Sequence, residues 1–125
     1  MRTAHPVLTP NELAIMNVVW RLKTATVRDI WEHLRQRRTI AYTTVMTMMR
    51  ILEGKGYITK STGERAYVYK PAKSRDQVVG SMVRDFLDRV FDGAPNQLLL
   101  HLARNNRLTP AQRGIVQQLI DEADE

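Results

Sequence analysis

Four side chains between Tyr42 and Glu53 recur at a spacing that points them one way. Thr43, Met46, Thr47 and Arg50 stand at i, i+3, i+4 and i+7, the interval of one α-helical face. Their types suit a hydrogen-bonding surface. Threonine hydroxyls bond phosphates or base edges, and a threonine methyl or a methionine touches a thymine methyl. An arginine grips guanine at two points or holds a phosphate. An ordinary solvated helix face has the same composition, so these residues alone leave both readings open. Catalytic chemistry finds no such grouping. His5, His33 and His101 are isolated from carboxylate and nucleophile partners, and Gly-rich phosphate loops, His-Glu-x-x-His and Gly-x-Ser-x-Gly are absent. The lack of cysteine excludes disulfides, thiolate zinc sites and iron–sulfur clusters. No enzymatic activity, cofactor or metal is expected.

The elements that must position this face follow from caps and periodicity. Thr9-Pro10-Asn11-Glu12 is a capping box with proline at the first helical position, and Leu13, Met16, Val19 and Trp20 form the stripe behind it. The spacing predicts an end near Leu22–Lys23. Thr26 caps a second helix, with Asp29 in its first turn and Val27, Ile30, Trp31 and Leu34 on its apolar side. A third helix is expected over Tyr42–Glu53, with Val45, Met49 and Leu52 inward and Gly54 and Gly56 stopping it. Its β-branched residues weaken that assignment, but the spacing outweighs them. The period then changes. Residues 57–61 read as a strand, 62–65 as a turn and 66–70 as a returning strand.

Helix, helix, helix and hairpin, with a short turn between the second and third helices, is the order of a winged helix-turn-helix. The charge falls on the same residues. Positions 1–72 carry 12 basic and 5 acidic side chains, net +7, whereas 73–125 carry 7 and 8, net −1. A localised basic field points to a polyanion, double-stranded DNA first. The expected contact residues are Thr43, Met46, Thr47 and Arg50 on the helix, with Tyr42 at its start, and Lys60 and Arg65 on the hairpin; Tyr67 is either a further contact or a core-edge packer. Tyr69 is read as a core-edge packer. Arg35, Arg37 and Arg38 are either a solvated helix end or a second phosphate patch. The alternative is a winged helix that binds protein or RNA without operator specificity.

The second half begins with a further capping box, Ser74–Gln77, and a long helix over about Arg75–Phe91. A short helix is marked by Leu98–Leu102, and a last one starts at Thr109-Pro110. The apolar face of Val79, Met82, Val83, Phe86, Leu87 and Val90, with Leu99, Leu102, Ile115 and Leu119, is too wide for a monomer of 125 residues. A homodimer covers it. Two domains are expected, 1–72 and 73–125, in a mainly α chain with a small β-hairpin wing. No run approaches the roughly 18 apolar residues of a membrane span, and residues 1–10 lack an apolar leader, so a cytoplasmic location is expected.

Several stretches together resemble the penicillinase-repressor family (BlaI/MecI, with copper-responsive repressors). They are Leu8–Met16 with Val19-Trp20, Ala41–Thr47, Arg50–Ile58, Gly63–Tyr69 and the last helix after Leu108-Thr109. The resemblance implies a homodimeric transcriptional repressor of β-lactamase or other resistance and stress genes. Its operator contacts would be Thr43, Thr44, Met46, Thr47, Arg50 and Arg65. It also implies a regulatory protease as a partner. In antibiotic-responsive members the cut falls at an Asn-Phe bond in a short apolar helix. The corresponding place here is His101-Leu102, without that pair. The cysteine pairs of copper-responsive members are absent too.

Overall fold

Thr9 and Glu12 start the first helix as their spacing predicts. The Thr9 hydroxyl accepts from the Glu12 N–H at 3.2 Å, and the Glu12 carboxylate accepts from the Thr9 N–H at 2.9 Å. The computed structural model describes residues 7–105 and 108–123. In it, α1 spans Pro10–Leu22, α2 Val27–Leu34 and α3 Tyr42–Gly54. Thr26 caps α2 in the same reciprocal way, with Asp29 reaching back to the Thr26 N–H at 2.9 Å. At the end of α3, Gly56 takes φ +85°, a conformation that favours glycine. The Gly56 and Tyr57 N–H groups then bond the Glu53 and Leu52 carbonyls, both at 3.0 Å.

The expected inner residues of α3, Val45, Met49 and Leu52, are fully buried. So are Ile15, Met16 and Val19 of α1 and Ile30 of α2. Helix α1 buries more than its expected stripe, Ile15 and Val18 included, because α2, α3 and the hairpin all pack on it. Strands β1 (Ile58–Thr62) and β2 (Tyr67–Pro71) form an antiparallel hairpin in which Lys60 faces Tyr69 and Thr62 faces Tyr67. Both strands lie one residue later than expected. Tyr57 is buried and its N–H is taken by the helix-ending bond to Leu52, so the strand begins after it. A single antiparallel bridge joins β2 to the connection between α1 and α2. Ala25 and Tyr69 exchange N–H···O bonds of 2.9 and 2.8 Å.

Helix α4 spans Arg75–Phe91, α5 Pro95–Arg104 and α6 Pro110–Ala123. The expected caps form at Ser74–Gln77 and Thr109–Gln112. Helix α5 starts earlier than Leu98, with Pro95 as its first helical residue. The chain divides into two compact units, 1–81 and 82–125. Val78 is buried in the core of the first unit, and the Trp20 indole N–H donates to the Lys73 carbonyl at 2.9 Å. The first turns of α4 therefore belong with the winged helix. Among the described residues no helix is long and apolar enough to cross a membrane.

One charged pair lies inside the first unit. Lys55 Nζ donates to the buried Glu12 carboxylate at 2.8 Å and to the Val7 carbonyl at 2.9 Å. Burial raises the Glu12 pKa, but Lys55 and the Thr9 bonds outweigh it, and the carboxyl titrates below its ordinary value of 4.5. Because the folded value is depressed, this stabilisation is complete above 4.5 and is lost as pH falls through the folded pKa. Lys55→Met leaves a buried carboxylate without its cation, which costs on the order of 3 kcal/mol. Urea denaturation at neutral pH will show that loss, and the difference between the variant and the parent will shrink as pH drops below 4.5.

Candidate nucleic-acid interface

Burial of one side of α3 turns the other outward. Thr43, Met46, Thr47 and Arg50 are all exposed, as their spacing predicts, while Thr44 is half-buried. The structure divides the outward side into two stripes. Tyr42, Met46, Arg50 and Glu53 line an open groove of about 850 Å³ between α3 and the hairpin. Thr43, Thr47 and the exposed Ile51 run beside them at four-residue intervals, facing solvent. Thr47 Oγ1 donates to the Thr43 carbonyl at 3.0 Å. Its proton is engaged, so toward a ligand it presents an acceptor and a methyl group.

The start of α3 is held by Trp31. The indole N–H donates to the Ile40 carbonyl at 2.9 Å, and the ring meets Tyr42 edge-on at 5.7 Å. Three arginines follow α2, and they differ in what engages them. Arg35 lies over Trp31 at 4.6 Å and 3.5 Å from Glu32, Arg38 donates to Asn11, and Arg37 is exposed.

The hairpin supplies the other wall. Lys60, Thr62, Tyr67 and Tyr69 share its groove-facing side. Tyr69 is buried, as expected of a core-edge packer, and Tyr67 is 54% exposed. Lys60 Nζ sits 4.4 Å from the centre of the Tyr67 ring and 3.8 Å from Glu53 Oε1. Arg65 is exposed at the tip and has no ion-pair partner among the described residues; the same is true of Arg50. The tip closes through the Gly63 N–H to the Ala66 carbonyl, 2.9 Å.

Sequence reasoning missed Arg28, Glu53 and Ile51. Arg28 reaches the groove only through the fold, from the first turn of α2. Glu53 was visible as the next step, i+3, after Arg50. Among the described residues no group of three or more His, Asp or Glu side chains could hold a metal ion.

In the second unit, Met82, Val83, Phe86, Val90 and Ile115 are exposed, together with Leu100, which sequence reasoning omitted. Leu87, Leu99 and Leu102 are half-buried. Val79 is half-buried too, but it lies in the first unit. The Leu119 side chain and His5 lie outside the described residues. Phe91 meets Phe86 and His101 edge-on at 5.8 and 5.9 Å. The exposed His101 and half-buried Leu102 lie within α5.

Three helices, a short turn before the third, and a hairpin bridged back to the first connection define a winged helix-turn-helix. A family model described as penicillinase repressor matches residues 8–122. The chain belongs to the penicillinase-repressor family, whose description is that of a regulator and not of an enzyme. It is 37% identical over 90 residues to the transcriptional regulator BlaI of Mycobacterium tuberculosis, a match spanning 71% of this chain and 65% of that one, less than two thirds. It is 24% identical over 117 residues to the penicillinase repressor of Bacillus licheniformis, covering 94% and 91%. Its fold is similar to the solution structure of the monomeric form of Bacillus licheniformis BlaI in complex with the blaP half-operator. That likeness has a TM-score of 0.53 and 24% identity, and covers 61% of this chain and 93% of that one.

A Cβ on Gly63 would stand 2.5 Å from the Ala66 carbonyl oxygen and 2.9 Å from Val68 Cγ2. Gly63→Ala therefore opens the tip. Hydrogen exchange will show lost protection at residue 63 and along β1 and β2, with the amides of α1 and α3 unchanged.

Proposed function

We propose that the chain is a homodimeric transcriptional repressor that binds a two-fold symmetric operator in the cytoplasm. Helix α3 enters the major groove and the wing lies on the flanking backbone. The observation that carries this reading is the outward side of α3 beside a groove lined by Arg28, Arg50, Lys60 and Arg65. Thr43 and Thr47 face base edges, with Thr47 accepting from an exocyclic amino group. Met46 and Ile51 suit thymine methyls. Arg50 takes guanine or a phosphate. Tyr42 and Thr44, at the start of the helix, and Lys60, Arg65 and Tyr67, on the wing, hold the backbone.

The second unit supplies the dimer contact. Exposed Met82, Val83, Phe86 and Val90 make one side of α4 apolar, and Ile115 adds to the exposed apolar surface. Leu87, Leu99 and Leu102 are half-buried behind it. A second copy covers such a surface with two-fold symmetry, which doubles a short reading head and explains the expected symmetry of the operator. The chain's target genes are of the antibiotic-resistance class, a reading supported by the name of the Bacillus licheniformis relative, penicillinase repressor. A regulatory protease acting at His101–Leu102 must first unwind α5, because the bond lies inside that helix.

The test is binding to a genomic fragment library at two salt concentrations, with the bound fragments sequenced. Enrichment of a short two-fold repeat is expected, weakening steeply with salt. Salt-insensitive capture, or none, would move the chain to the protein-binding alternative. Arg65→Ala will weaken operator and random DNA alike and reduce the salt slope by about 0.9 for each protomer bound. Thr47→Ala will lower the operator-to-random ratio about fivefold for each half-site, the worth of one hydrogen bond of roughly 1 kcal/mol. Phe86→Asp puts an unpaired charge in the dimer contact, and sedimentation will show monomers where the parent forms dimers.

A further inference from the structure

The groove meant for a polyanion holds a carboxylate. Glu53 stands on the last turn of α3, on the stripe of Met46 and Arg50, and its Oε1 lies 3.8 Å from Lys60 Nζ. Lys60 also rests on the Tyr67 ring. The two side chains are only about one-third exposed, 34% for Glu53 and 38% for Lys60. A wing cation placed to meet phosphate is thus already occupied, by an anion of the reading helix itself. Neither capping nor core packing accounts for Glu53. The helix ends through backbone bonds at Gly56 and Tyr57, and the core below is closed by Met49 and Leu52.

We infer that Glu53 is an affinity-limiting residue that acts through Lys60, holding down attachment to DNA of arbitrary sequence. The inference rests on the DNA-binding reading above. A phosphate that approaches Lys60 must displace the Glu53 carboxylate and then sits beside it. Like charges at that range repel, and the partly closed groove screens them less than open water does. Random DNA offers phosphates alone, so it meets this resistance without compensation. An operator that also satisfies Thr43, Thr47 and Arg50 overcomes it. The pair therefore lowers affinity for all sequences, so that only the added contacts of an operator bring binding into range.

The test uses the full chain, a random-sequence duplex and the enriched duplex, each measured over a range of salt. Glu53→Gln keeps the shape of the side chain and removes its charge. Binding to the random duplex is expected to tighten about fivefold to tenfold, with a salt slope steeper by about 0.9 for each protomer bound as Lys60 gains a phosphate. The enriched duplex should tighten as well, so that the operator-to-random ratio changes little. The gain and the added slope should vanish in Glu53→Gln combined with Lys60→Met. Unaltered random binding and slope in Glu53→Gln would overturn the inference while leaving the repressor reading intact. A gain that survives in the double variant would overturn the role of Lys60. A parent chain that binds neither duplex would overturn the repressor reading, and the inference with it. Circular dichroism melting shows that the variants are folded, and a purely structural role for Glu53 would move that melt and not the salt slope.

Discussion

The site depends on the burial of Val45, Met49 and Leu52. None of the three has exposed surface, and each contributes about 1.5–3 kcal/mol by leaving water. Rotating α3 by one residue would expose part of this stripe and bury polar groups in its place. The helix has one acceptable orientation, and in it Thr43, Thr47 and Arg50 reach solvent. This outward face is thus set from below, by apolar packing against α1 and α2.

The ends of that helix are fixed by different means. At the start, Trp31 bonds the carbonyl of Ile40 and meets Tyr42 edge-on. At the end, Gly56 turns the chain sharply into β1, and Lys55 reaches back to Glu12 in the first turn of α1. The wing is fixed separately, by the exchange of two backbone bonds between Ala25 and Tyr69. Helix and wing are therefore fastened to the same core, and the groove between them has a defined width before any ligand arrives. Such preorganisation lowers the ordering cost of binding.

Local chemistry was legible in the sequence. Thr9 with Glu12, Ser74 with Gln77 and Thr109 with Gln112 each announce a helix start, because a cap is made by residues three apart. The inward and outward sides of α3 followed from period alone. Contacts between distant residues were not legible. Glu12 and Lys55 lie 43 positions apart, and Ala25 meets Tyr69 through backbone atoms that carry no side-chain signature. The strand register was missed by one residue because the backbone of Tyr57 finishes the helix, a fact about hydrogen bonds and not about residue type. Pro71 and the cap at Ser74 mark where a helix begins. They do not mark where its burial ends, and Val78 still belongs to the first core.

The central claim is that one side of α3 and the wing meet DNA while the second unit does not. The most direct measurement is a backbone and side-chain NMR titration of the full chain with the enriched duplex. The account predicts the largest perturbations at Thr43, Thr47, Arg50 and Arg65, and none at Leu100 or Ile115. Perturbations centred on α5 and α6, with α3 and the wing silent, would contradict it.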